Sequence, residues 1–564
     1  MKPTSLSSVA STLVLGFLLL PAALAHGGEE EPHQDSHGGD HKDDTKYPDT
    51  YFALSEHASV MYAHISVMAI AWVVLLPVAV MLSLAKSRYT LLVQFLFLGA
   101  NALGVVLATI YNAQTPDLYP NNAHHKIGWI ITAVVTAQVL VGLVDRIVGA
   151  FHGQAKVRRS REEHAFIIPV ATQDNAPHSY FSDGYRMSHD GGQGSGPNTD
   201  SLRGHWGDED SLPMHSSHKE YGDEDDEFED MPLSALAPKG RFASKAAKVL
   251  SSRVWKPLAI GYQIIDRIIL PFGFVAFATG IVTYGRFFEG RGIFGGLAHW
   301  IKGGVFFWLG LFTLGRWCGS FAEIGWAWNA RPRRGQAWRP SSEFVESALI
   351  CFYGCTNIFL EHLGGWGGRW TGQDFEHISI TVLFIGGGAL GMLVESNCVR
   401  DLLNTTMYDE ASEHSYSDEE REQRQRPKTY EFSLNPIPAL VILLLGIMMS
   451  SHQQSTMIAS MVHKQWGNLL SGASLARTMT YVVIYLKPPK SILPSRPPTE
   501  LLTSFGLISG GIIFMASSGD TITGIIHHDL DAMFMYTVTM GLVGLLMAWE
   551  VIILALKGWA VQDE

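Results

Sequence analysis

Cysteine, basic charge and internal repeats are all scarce in this chain. Four cysteines occur, Cys318, Cys351, Cys355 and Cys398, each inside an apolar run or at its cytosol-facing end. Their placement excludes a disulfide framework, which needs cysteines in oxidising loops. Cys351 and Cys355 share a helix face and read as packed small side chains, with a thiolate metal pair as the alternative. Lysine and arginine total 41 against 53 acids, a net charge of −12. No basic patch is available to neutralise phosphates, so nucleic acid is excluded as a partner. No repeat or broken-helix pair marks an inverted-repeat transporter. The HExxH hydrolase pattern is absent, and no HxxxH lies inside an apolar run.

Long apolar runs are what the chain does have; 47% of its residues are hydrophobic. Crossing a hydrocarbon core takes about 20 such residues. The expected spans are 60–84, 89–113, 125–149, 258–284, 296–317, 342–360, 377–396, 436–451, 463–486, 501–519 and 533–556. This predicts an all-α polytopic membrane protein of about eleven helices, grouped three and eight. With the N-terminus outside, Lys156, Arg158, Arg159, Arg331, Arg333, Arg334, Lys487 and Lys557 fall in the cytosol with the C-terminus. The outward loops carry mainly Arg286, Arg291 and Arg369, as the positive-inside rule requires.

Residues 1–25 read as a signal peptide: Lys2, an apolar core from Leu13 to Leu20, and Ala23-Leu24-Ala25 as a small-x-small cleavage site. That places the protein in the secretory or endomembrane system or the plasma membrane. Residues 26–57 form an acidic outward tail with His26, His33, His37 and His41, suited to loose chelation of metal ions or to plain solvation. Residues 58–150 make the three-helix block and 258–564 the eight-helix block. The acidic, Ser- and Gly-rich stretch 151–257 predicts a disordered cytosolic linker. It and the charged loop 397–435 are the places for cytosolic partners; the lipid bilayer is the partner of the rest.

Histidines in or beside the spans all fall at the outward ends: His64, His124, His125, His299, His362, His377, His452, His463, His527 and His528. Such groups are costly in a bilayer and mark function. Glu361-His362 closes one span and Glu376-His377 opens the next; His452 and His463 flank the following turn. Histidine and carboxylate ligands at one depth suit Zn, Mn, Cu or Fe ions. The plain alternative is interfacial histidines in water. Glu395 and Glu550 lie in the opposite halves of their spans, with Arg316 and Arg477 near apolar runs. Ion pairing between helices is the bland reading and proton-coupled transport the sharper one. Gly387-x3-Gly391 reads as close helix packing.

The first span contains His64, Ala71, Trp72 and Pro77, and the third opens His124-His125-Lys126-Ile127-Gly128. In these residues the block resembles transmembrane cytochrome b domains. The resemblance implies a b-type haem between His64 and His124 or His125, at matching depth on facing helices. The intervening helix lacks the further ligand histidine of those domains, so a two-haem wire is excluded. Both blocks together resemble the fungal Ytp family. That resemblance is carried by Gly325-Trp326-Ala327-Trp328-Asn329, Asn357 to Trp366, Gly386-Gly387-Gly388, Met448 to Gln454 and Pro494 to Glu500. It implies a polytopic membrane protein and supplies no reaction, so an enzyme is not the expected class. Three functional readings follow: a metal- or haem-binding membrane protein, a metal-ion or proton-coupled transporter, and a non-enzymatic scaffold.

Overall fold

In the computed structural model, residues 49–165, 252–290, 293–328, 339–357, 369–370, 372–409, 427–452, 454–491 and 493–562 are described. The expected signal peptide, the expected histidine tail up to residue 48, most of the expected linker, and Glu361 and His362 lie outside them. The described residues are helical with no strand. The helices are α1 (Ala58–Leu84), α2 (Thr90–Gln114), α3 (Ala123–Ala165), α4 (Ser252–Gly285), α5 (Ile293–Cys318), α6 (Ser342–Asn357) and α7 (Gly372–Glu395). They continue with α8 (Asn397–Asp409), α9 (Ile437–Ser451), α10 (Met457–Leu486), α11 (Pro498–Ala516), α12 (Gly519–His527) and α13 (Ala532–Gln562).

Each expected span coincides with a helix. Nine of the described helices are long and apolar enough to cross a membrane, and α9 is a shorter apolar helix. The protein is a polytopic helical membrane protein. Two expected loops are partly helical. The linker stretch continues α3 as far as Ala165, through a run rich in Lys, Arg and Glu, which are good helix formers. The loop after α7 forms α8, where the Val399 amide donates to Ser396 Oγ at 3.4 Å.

The chain divides into two compact units, Met1–Arg146 with Lys256–Glu564, and Ile147–Trp255. Of the second, only residues 147–165 and 252–255 are described. The first holds both helix blocks. Its organising element is α11. Of the apolar window of α11, 72% is buried, against 17% to 39% for the other eight membrane-length helices. Small residues permit this. A Cβ on Gly303 of α5 would lie 2.5 Å from the Gly511 carbonyl oxygen of α11. One side of the same contact is fixed by Ser504 Oγ, which donates to the Gly310 carbonyl at 2.8 Å. Without a hydrophobic drive between helices in lipid, such packing and interhelical hydrogen bonds hold the bundle.

Peripheral helices show the reverse pattern. Leu92, Leu96, Leu103, Val106 and Ile110 of α2 are exposed at helical spacing, a stripe for acyl chains. Pro77 lacks the N–H that would bond the Val73 carbonyl in α1. Trp549 of α13 fills the vacancy: its Nε1 donates to Val73 O at 2.8 Å. A proline in the first block thus creates an acceptor that a helix of the second block uses.

Candidate functional site

Polar groups gather at the two ends of the helix bundle. We call them the histidine end, where α3 and α10 begin, and the arginine end, where α6 and α11 begin.

At the histidine end, α1 and α3 bring His64 and His124 face to face. Their ring centroids are 6.4 Å apart at an interplanar angle of 77°. His64 Nδ1 lies 2.8 Å from the Gly104 carbonyl of α2. His124 Nδ1 lies 3.1 Å from the Ala276 carbonyl of α4. A carbonyl only accepts, so both contacts fix the Nδ1–H tautomer and direct the lone pair to Nε2. The small residue Gly280 sits beneath the His124 ring, where a Cβ would be 3.1 Å from Cε1. His125 points to the exposed side, and its backbone amide donates to Asn122 Oδ1 at 3.0 Å.

A second imidazole pair lies on α5 and α10. His299 and His463 have centroids 6.0 Å apart at 84°. Each Nδ1 bonds the carbonyl four residues back, Gly295 and Ala459, at 2.9 Å. Phe514 packs on His299 and Trp466 on His463, and the two aromatic rings stack at 4.1 Å. His463 was expected beside His452; packing pairs it with His299 instead. His452 Nδ1 meets Glu376 Oε2 at 3.3 Å, with the glutamate largely exposed. His377, on the adjacent position of α7, is half-buried. Among the described residues no three histidine, cysteine or acidic side chains converge as a metal site. The candidate ligands come together in twos.

The arginine end is a different kind of site. Arg316 of α5 donates from Nη2 to Glu343 Oε1 of α6 at 2.9 Å and from Nε to the Trp326 carbonyl at 2.7 Å. Its Nη1 lies 3.6 Å from Glu346 Oε1, close enough to pair electrostatically but not a hydrogen bond. Arg477 of α10 reaches Glu346 Oε2 at 3.4 Å and Glu500 Oε2 of α11 at 3.1 Å, and donates to Thr313 Oγ1 at 2.9 Å. Trp328 packs against both guanidiniums, 4.3 Å from that of Arg316 and 5.4 Å from that of Arg477. All five charged residues are buried, and Glu500 is 0% exposed. Two guanidiniums face three carboxylates, one negative charge in excess when all ionise.

A cavity of about 700 Å³ opens against this cluster. Arg316, Trp328, Ser342, Glu343, Glu395 and Arg400 help to line it. Glu395 accepts from Ser341 Oγ at 2.6 Å and Ser433 Oγ at 2.9 Å. The arginines expected to pair across helices do so, but with Glu343, Glu346 and Glu500 rather than with Glu395 or Glu550. Glu550 Oε2 is buried without a hydrogen bond.

Sequence reasoning missed Glu343 and Glu346, which open α6, and the buried Asp266 of α4. Asp266 accepts from Ser83 Oγ and Gln138 Nε2, both at 2.5 Å. Two arginines inside apolar runs were the available signal, since each requires a carboxylate within reach.

Residues 272–558 match the family described as Protein YTP1-like, C-terminal, and residues 45–148 match a domain of unknown function, DUF2427. An uncharacterized membrane protein of Schizosaccharomyces pombe is 34% identical over 508 residues, 89% of this chain and 94% of that protein. One from Saccharomyces cerevisiae is 36% identical over 373 residues, 61% of this chain and 56% of the relative. Protein YTP1 of the same yeast is 24% identical over 178 residues, 32% and 31% of the two chains. No solved structure matches.

Proposed function

The chain belongs to the YTP1-like family of fungal membrane proteins, and on that premise we propose that it holds a transition metal, as haem iron or a single ion, between His64 and His124. One observation carries this: two imidazoles on separate helices, 6.4 Å apart, each with Nδ1 tied to a backbone carbonyl. Metal-ligating histidines characteristically have their second nitrogen anchored in this way. Were both Nε2 atoms to hold one metal at the usual bond length of about 2 Å, the ring centres would lie no more than roughly 6 Å apart, close to the observed 6.4 Å. The helix face beside His124 is also open. Gly128 shares a face of α3 with His124, and a Cβ there would meet nothing within 4 Å. A haem iron with two imidazole ligands supplies one-electron transfer. The chain's own part is to fix the imidazoles and keep them in an apolar bundle. Among the described residues, no further facing histidine pair leads on to the arginine end.

The test is metal and haem content of the full-length protein, purified without a polyhistidine tag, for wild type and for His64→Ala with His124→Ala. One metal per chain that vanishes in the double variant is expected. A reduced-minus-oxidised absorbance spectrum separates haem iron from a bare ion. Absence of bound metal from the wild type overturns the proposal.

A second reading, proton- or metal-ion-coupled transport, draws support from the one excess negative charge of the buried cluster and from the unpartnered oxygen of Glu550. It requires that Glu395→Gln or Glu550→Gln abolish flux in reconstituted vesicles; unchanged flux counts against it.

A further inference from the structure

Helix α8, at the arginine end, has three sides with three different surroundings. At about 3.6 residues per turn, Arg400 and Asn404 share one side, Asn397 and Asp401 the next, and Cys398, Val399, Leu402 and Leu403 the third. The first side meets the protein. Arg400 Nη2 donates to the Val394 carbonyl at 3.1 Å, its guanidinium lies 5.0 Å from the Tyr430 ring centre, and Asn404 is half-buried. The second side is polar and exposed, as a helix flank in water should be. The third is apolar and still exposed: Leu402 is 66% and Leu403 71% accessible, with Cys398 exposed one turn before Leu402. A helix at home in water turns its apolar side to the protein, and α8 turns its polar side there instead.

We propose that α8 is an interfacial helix, lying on the bilayer at the arginine end with Leu402 and Leu403 set into the boundary between headgroups and acyl chains. Continuity with the lipid-facing surface of α7 identifies lipid as the occupant. Val382, Leu390, Leu393 and Val394 of α7 are exposed at helical spacing, and only Ser396 separates the end of α7 from the start of α8. The apolar side of α8 therefore begins where the lipid-facing stripe of α7 stops. Aromatic residues give a second, independent mark of the same level. Tyr89 at the start of α2, Tyr485 at the end of α10 and Trp559 at the end of α13 are exposed at this end of the bundle. Rings of this amphipathic kind favour the headgroup region. Tyr430, also exposed, packs on Arg400 and ties α8 to that belt. Apolar side to the acyl boundary and polar flank to water is how amphipathic helices rest on a membrane. Arg400 lines the cavity beside Glu395, so the bilayer holds in place the helix that forms one wall of that cavity.

The test is photocrosslinking of the full-length protein in phosphatidylcholine nanodiscs. The photoreactive residue p-benzoylphenylalanine is placed at Leu402, Leu403, Asn397 or Asp401, one at a time, in the otherwise unchanged chain. All four sites are exposed, so the replacements leave the packed side of α8 intact. After irradiation, intact-mass measurement counts chains carrying one lipid. The lipid-adduct fraction at Leu402 and Leu403 is expected to exceed that at Asn397 and Asp401 by at least about fivefold. Equal fractions at all four sites, or none at any, would overturn the proposal. Chain-to-chain adducts at Leu402 and Leu403 in place of lipid would overturn it too, and would assign this side of α8 to a second copy of the protein.

Discussion

The two ends of this bundle solve the problem of polar groups in a membrane in opposite ways. At the histidine end each imidazole of the two facing pairs is anchored by a backbone carbonyl, so the members of a pair do not depend on one another. At the arginine end the charges depend on each other entirely. Arg477 serves Glu346 and Glu500, Arg316 serves Glu343 and Glu346, and Glu346 is shared between them. Neutral, individually satisfied groups can take on a ligand without rearranging the fold. An interlocked ionic cluster fixes the fold.

This contrast sets the order of expected effects. Arg477→Met leaves two buried carboxylates short of a cation and is expected to destabilise the protein by about 3–5 kcal/mol. Loss of folded protein in detergent size-exclusion chromatography is the readout; a wild-type elution profile and Tm would break the comparison. Adding Glu500→Gln to that variant removes part of the excess charge and is expected to recover about 1–3 kcal/mol of the loss. Strictly additive losses would show that the cluster is not one unit.

Backbone contact is next in size. Gly310→Ala places a methyl 2.5 Å from Ile508 Cγ1 and 3.0 Å from the Ser504 carbonyl oxygen. The α5–α11 contact must open, at about 1–3 kcal/mol. A Tm drop beyond that of a lipid-facing Gly99→Ala control, where a Cβ meets nothing within 4 Å, is expected. Equal Tm values for the two would mean that α5 and α11 are not in backbone contact.

The smallest stability effects belong to the histidine end. His64→Ala removes one anchored hydrogen bond and is expected to lower stability by about 1 kcal/mol in metal-free protein, with the fold kept. A collapse comparable to that of Arg477→Met would show that the imidazoles are structural.

The fold was legible in the apolar runs because bilayer thickness sets their length. The ends of α3 and the presence of α8 were not, because charged good helix formers carry no apolar period in a loop. The layer of histidines at one end of the bundle was legible as a layer, but its pairing was not. His463 meets His299 rather than His452 because α5 and α10 both pack against α11, a tertiary fact with no local signal. Glu343 and Glu346, three residues apart on one face of α6, fall inside the expected span 342–360 and were not singled out there. Arg316 and Arg477 stand out in the sequence as arginines beside apolar runs, and burying them requires carboxylates such as this pair.

Metal per chain, measured on three full-length proteins side by side, tests the separation of the two ends most directly. Wild type and the Ser342→Ala, Trp328→Phe double variant are both expected to hold one metal, and the His64→Ala, His124→Ala double variant none. Metal absent from wild type, or lost from the arginine-end variant while the histidine variant keeps it, would contradict the account.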